Sequence, residues 1–155
     1  MAAIALGIAG CALPPRDREE DPLPIMHKGE VLFLKVDFRQ ANVLDLLRYI
    51  QSQTDAVLPA NARVKIGFAI DPENPNRLLS VDDMCRLMDS HDPADSKLSA
   101  QCRRLMRTRP LVTFLRRYAR LSDLLDEMGR QTGLRWDCDA SRRNYRLYDP
   151  ETMKK

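Results

Sequence analysis

The sequence predicts a small α+β domain, a pseudo-duplicated βαβ–βαββ unit, and three observations lead there. A helical pattern occurs twice: Asp45-Leu46-Leu47, Ile50 and Gln53-Thr54 return 78 positions later as Asp123-Leu124-Leu125, Met128 and Gln131-Thr132. The interval holds outside the helix, since Asp71-Pro72-Glu73 returns as Asp149-Pro150-Glu151. Strand-like runs flank each copy, residues 31–38 and 64–70 around the first, 111–115 and 144–148 around the second. Two copies are too few for a solenoid, whose repeats need several neighbours to bury their faces, so the reading is one domain with internal pseudo-symmetry.

At 155 residues the chain has room for one domain and a tail. Its 44% hydrophobic and 30% charged residues suit a globular chain, and a formal net charge of +3 is too small to name a partner. No apolar run reaches the roughly 18 residues of a membrane-spanning helix. The expected divisions are residues 1–11, an apolar leader; 12–30, a tether; and 31–150, the folded domain, with a helical insertion at about 77–108.

The leader ends in Ile8-Ala9-Gly10-Cys11, which resembles the bacterial lipobox, small residues before a cysteine that is lipidated and becomes the first residue of the mature chain. The resemblance implies a covalent lipid on Cys11 and no other cofactor. With Ala12 next instead of an aspartate, it implies the periplasmic face of the outer membrane. Several acyl chains anchor stably where a single one is marginal. Pro14, Pro15, Pro22 and Pro24, with the charged run 16–21, predict a disordered spacer over 12–30.

Within the domain, Leu32, Leu34, Val36 and Phe38 alternate with polar residues, the period of a half-buried strand. Asn42 is placed to cap a helix whose apolar stripe is Val43, Leu46, Leu47 and Ile50, with Asp45 near the positive end of the dipole. Val64, Ile66, Phe68 and Ile70 form the next strand. Ser80 with Asp83 resembles a capping box, and Val81, Met84, Cys85 and Met88 line the helix it opens. His91-Asp92-Pro93 breaks that helix, and Leu98, Cys102, Leu105 and Met106 line a second one, which predicts an inserted helical hairpin. In the second unit Ser122 is expected to cap the helix and Gly133 to end it in the left-handed conformation. Trp136 and Cys138 are expected inside on the strand that follows.

In this order of elements the domain resembles the secretin and TonB short N-terminal domain. The second copy carries the resemblance: Leu121, Leu124, Leu125 and Met128 lead to Thr132-Gly133-Leu134, Trp136 and the strand at 145–148. The first copy departs from the pattern at Asp55, where the family has glycine after the threonine, and the interruption between copies is long. A lipidated, free-standing copy of the module is similar to the DotD/TraH group of type IVB secretion and conjugation systems. What this implies is a non-enzymatic structural component of a hetero-oligomeric ring in an envelope-spanning complex, with other subunits as partners and no nucleic acid. Two alternatives share the element order. One is an RNA-binding RRM-like module, echoed by Gly67-Phe68-Ala69; the other is a periplasmic signalling or docking domain.

Candidate chemistry outside the resemblance is sparse. Cys85 and Cys102 lie symmetrically about Pro93, so a hairpin would set them opposite each other. A disulfide closing that loop would stabilise by about 3 kcal/mol, and two small buried hydrophobes is the competing reading. Arg103, Arg104, Arg107, Arg109, Arg116, Arg117 and Arg120 form a basic stretch without an intervening acid. It reads either as a contact for an anionic partner or as a solvated helix face followed by a guarded strand edge. Asp82-Asp83 and Asp123 with Asp126-Glu127 sit near predicted helix starts, where carboxylates favour the dipole. No CxxC spacing is present and His27 and His91 are the only histidines, so zinc is not expected. Neither is an enzyme, since no nucleophile elbow, HExxH or P-loop occurs.

Overall fold

The first hairpin joins β1 (Ile25–His27) to β2 (Glu30–Ala41) through Lys28 and Gly29. Both turn residues have positive φ, 50° and 78°, as a two-residue turn that follows the strand twist requires, and glycine takes the second without steric cost. This computed structural model describes residues 22–107, 110–141 and 143–154. Cys11 and residues 12–21 lie outside the described residues, while 25–30, expected as part of the disordered tether, form β1 and its turn into β2.

The remaining strands and α-helices are α1 (Val43–Val57), β3 (Lys65–Phe68), β4 (Leu79–Ser80), α2 (Val81–Asp89), α3 (Ser96–Arg107), β5 (Val112–Arg120), α4 (Leu121–Thr132), β6 (Arg135–Cys138) and β7 (Asn144–Tyr148). They form a mixed α+β architecture with two sheets, ordered β1-β2-β5 and β4-β3-β7-β6. β2 pairs antiparallel with β5. β3 pairs parallel with β7 and antiparallel with β4, and β6 and β7 close the chain as an antiparallel pair. α1 and α4 begin at Val43 and Leu121, the interval seen between the sequence echoes.

The apolar stripes do the packing. Leu46, Leu47 and Ile50 of α1, with Leu121, Leu124, Leu125 and Met128 of α4, are all at most 2% exposed and share one core with Phe68, Val112 and Leu147. Asn42 caps α1 as its position suggests: its side-chain oxygen accepts from the Asp45 N–H at 2.8 Å, while its amide donates to the Asp45 carboxylate at 2.8 Å. Ser80 and Asp83 form the reciprocal capping box of α2. Gly133 ends α4 at φ 78°, and its N–H bonds the Gly129 carbonyl.

Three local expectations are corrected. On β2 the buried residues are Val31, Phe33, Val36 and Phe38, while Leu32 and Leu34 are only half-buried. The burial phase changes between Phe33 and Val36, where Tyr118 interrupts the paired strand with φ 58° between the Phe33–Ala119 and Lys35–Arg117 pairs. Strand alternation cannot continue across such a break. Ser122 does not cap α4; the Asp123 carboxylate takes the Arg120 N–H at 3.0 Å, and the Ser122 N–H goes to Glu30 at 2.9 Å. Cys138 is exposed and Trp136 half-buried, because β6 is an edge strand with little packed beyond it. The indole N–H of Trp136 donates to Asp126 at 2.8 Å instead of entering the core.

Candidate functional site

β5 is longer than the 111–115 run expected for it and forms one edge of its sheet. Val112 and Phe114 point into the core, and Ala119 returns there after the break at Tyr118. Between them, Leu115, Arg116, Arg117 and Tyr118 are exposed, so Arg116 and Arg117 sit within the strand and not at its end. Leu115 and Tyr118 are 57% and 66% exposed, the two most exposed large apolar side chains among the described residues. Lys35 of β2 is the cross-strand partner of Arg117, which puts two like charges opposite each other. Such pairs weaken a sheet, and neither cation has an ion pair among the described residues. Asp37, on the same face, is engaged by Arg39 at 3.3 Å. Lys35, Asp37, Leu115, Arg116 and Arg117 line a shallow recess of about 300 Å³.

The backbone edge of β5 is partly closed. The Gln131 side chain, one residue from the end of α4, accepts from the Thr113 N–H at 2.9 Å and donates to the Thr113 carbonyl at 2.7 Å. Its amide imitates the peptide group of a neighbouring strand. Glu127 holds that amide in turn, accepting from it at 2.8 Å, and is itself gripped by Arg130. These bonds hold the Glu127 carboxyl down at about 2, the Arg130 contact first among them.

The other expected site residues separate. Arg103 is structural: its guanidinium donates to the Met88 and Ser90 carbonyls at 2.9 and 3.0 Å and so closes the C-terminus of α2. Arg104 and Arg107 are exposed on α3, a different element. Arg116 lies 3.9 Å from Asp123, a weak, exposed pair, and Arg120 is exposed at the entry to α4. Of the basic stretch, strand pairing therefore brings Arg117 against Lys35, a residue the stretch did not include, while Arg116 projects to the other face, toward Asp123.

Cys85 and Cys102 are not bonded to each other. On α2 it is Met84 that faces Cys102, sulfur to sulfur at 3.4 Å, while Cys85 turns toward α1 and meets the Arg48 guanidinium at 3.3 Å. Symmetry in the sequence ignores that neighbours on a helix point about 100° apart. Burial pushes the Cys102 thiol up to about 11, so it stays protonated. The acidic clusters serve helix starts and local pairs: Asp83 in its capping box, Asp123 at the α4 entry, and Asp82 with Arg48 at 3.2 Å. Among the described residues no group of three His, Cys, Asp or Glu side chains converges on one point.

A larger groove of about 550 Å³ runs between α1, β3 and the start of α2. Gln51 crosses it, donating to the Val64 carbonyl at 2.6 Å and accepting from the Ile66 N–H at 3.2 Å. Its polar lining is largely engaged within itself, through Gln51 with Asp55 and Arg48 with Asp82. Among the described residues no helix is long and apolar enough to cross a membrane. Comparison with protein-family models, with curated proteins and with solved structures gives no match, so the site stands on its own geometry.

Proposed function

We propose that this chain is a non-catalytic structural subunit of a cell-envelope secretion or conjugation assembly, of the kind a secretin N-terminal-like lipoprotein supplies. In this reading a lipid on Cys11 holds it at the periplasmic face of the outer membrane, and β5 docks it to a neighbouring subunit of a ring. The observation that carries the docking role is the exposed apolar and basic stretch of β5, where Leu115 and Arg117 share a face with Lys35, and Arg116 and Tyr118 are exposed beside them. A surface that exposes large apolar groups within one charge sign suits contact with a complementary partner, in which charge steers the encounter and the apolar groups hold it. The RRM-like alternative needs Phe68 on an open stacking face, and Phe68 is fully buried.

The test is recovery of the chain with detergent-solubilised envelope complexes. Reversing Arg116 and Arg117 to Glu is expected to remove the chain from the complex with its circular dichroism unchanged. Normal incorporation and normal substrate transfer would discard β5 as the contact. Fatty-acid labelling tests the anchor, and equal labelling of the natural chain and Cys11→Ser would remove it.

A further inference from the structure

We infer that β5 takes its partner by strand addition: an extended acidic segment of the neighbouring subunit pairs along the open edge of β5. The inference rests on the docking role proposed above and names what docks.

Gln131 shows which way the strand faces. Both backbone groups of Thr113 bond its side chain and so point away from β2. In an antiparallel pair successive residues alternate between facing the neighbour and facing away. Phe114 and Arg116 therefore face β2, and Leu115 and Arg117 present an N–H and a carbonyl each to the open edge. Gln131 closes one end of this row, and the left-handed Tyr118 ends it at the other. The open register is short, but it lies on a nine-residue strand, whereas the edge strands β1 and β6 have three and four residues.

Charge selects the occupant. Arg116, Arg117, Arg120 and Lys35 surround the edge, and the nearby Asp37 is paired with Arg39. A second copy of β5 would set arginine against arginine, which is unfavourable across strands. An acidic strand instead places carboxylates beside Arg117, on the face that also carries Leu115 and Lys35, and so offsets the like-charge pair, while its alternate side chains turn to the other face, where Arg116 lies. Main-chain bonds would supply affinity and the alternating side chains selectivity, as in other strand-addition complexes. The competing role for these arginines is to keep the edge unpaired.

The probe is a short synthetic peptide of alternating Glu and Val with blocked ends, titrated into the isotope-labelled full chain and followed by amide hydrogen exchange. Binding is expected to slow exchange at Leu115 and Arg117 and to leave Arg116, already facing β2, unchanged. N-methylation of alternate peptide amides is expected to abolish the effect. The Arg116→Glu, Arg117→Glu chain is expected to lose affinity by about tenfold or more, and Gln131→Ala, which frees Thr113, to gain it several-fold; a chain that merely unfolds does not bind more tightly. Binding that ignores N-methylation and leaves those amides unprotected is charge attraction alone and overturns the inference. No binding overturns it in favour of a guarded edge. A natural chain that assembles normally in envelopes yet shows no slowed exchange keeps the docking role and loses strand addition. Slowed exchange with no envelope assembly does the reverse.

Discussion

Gln51 on α1 and Gln131 on α4 perform the same operation on different strands. Each amide donates one hydrogen to a backbone carbonyl in a strand or just before one and the other to a carboxylate about one helical turn away, Asp55 or Glu127, and each accepts from a strand N–H. Gln51 serves β3, the strand after its helix, bridging Val64 and Ile66 within a groove roofed by the start of α2. Gln131 serves β5, the strand before its helix, and closes a single residue at an exposed site. The difference is what packs beyond. Where β4 and α2 follow, the edge of β3 is sealed; among the described residues no further strand pairs beside β5, and the edge stays available. An identical side-chain device therefore supports the interior in one unit and borders a surface in the other.

The two units meet most directly in the core. Leu47 and Leu125 are separated by the repeat interval, and both are fully buried. Truncating either to Ala is expected to cost about 2–5 kcal/mol, through lost burial and the cavity left behind. Equal losses in urea unfolding, with one transition in each case, mean that both units support one cooperative core. A second transition in either variant would divide the molecule into separately folding halves.

The periodic part of this arrangement was legible from the residues. Spacing of i, i+3, i+4 and i+7 identifies α1 and α4, and a break at Pro93 separates α2 from α3, because an apolar stripe must face a core whatever else surrounds it. Exchangeable details were not legible. Asp123 and Ser122 are both good partners for a helix start, and only the course of β5 into α4 decides between them. The repeat aligns Gln131 with Gln53, yet Gln51 makes the clamp while the Gln53 side-chain oxygen is buried without a partner among the described residues. Met84 in place of Cys85 faces Cys102 for the same reason: a rotation of one residue changes the neighbour without changing the pattern. Within the basic stretch, sequence proximity joined Arg103 to Arg117, while strand pairing joins Arg117 to Lys35. Cross-strand neighbours far apart in the chain leave no local signal.

The two clamps should differ in cost. Gln51→Ala leaves the Val64 carbonyl and Ile66 N–H without their partner in a partly buried groove, and an expected loss of about 1–3 kcal/mol follows. Gln131→Ala frees groups that water reaches, so about 0.5–1 kcal/mol is expected there. Equal losses would mean that the edge of β5 is as sealed as that of β3.

The smallest effect concerns pH. Glu127 holds the Gln131 amide, and its hydrogen bonds from Arg130 and then Gln131 lower its carboxyl from 4.5 to about 2. A carboxyl depressed in the folded state adds stability that is fully present above its unfolded value and is lost as pH falls through the folded one. The contribution should therefore fade between about pH 4.5 and about 2. The pair is exposed, with the Arg130 side chain 70% accessible, so water and salt screen it and the global effect should be small. The local effect is the sharper measurement. As Glu127 takes up a proton, the Gln131 amide loses one of its anchors, and the protection factor of the Thr113 amide, normalised for intrinsic exchange, should fall through that window. Glu127→Gln should show low Thr113 protection at every pH and a flatter profile. A Thr113 protection factor that stays level from pH 5 to pH 2 in the natural chain would show that Gln131 holds the edge of β5 without help from Glu127.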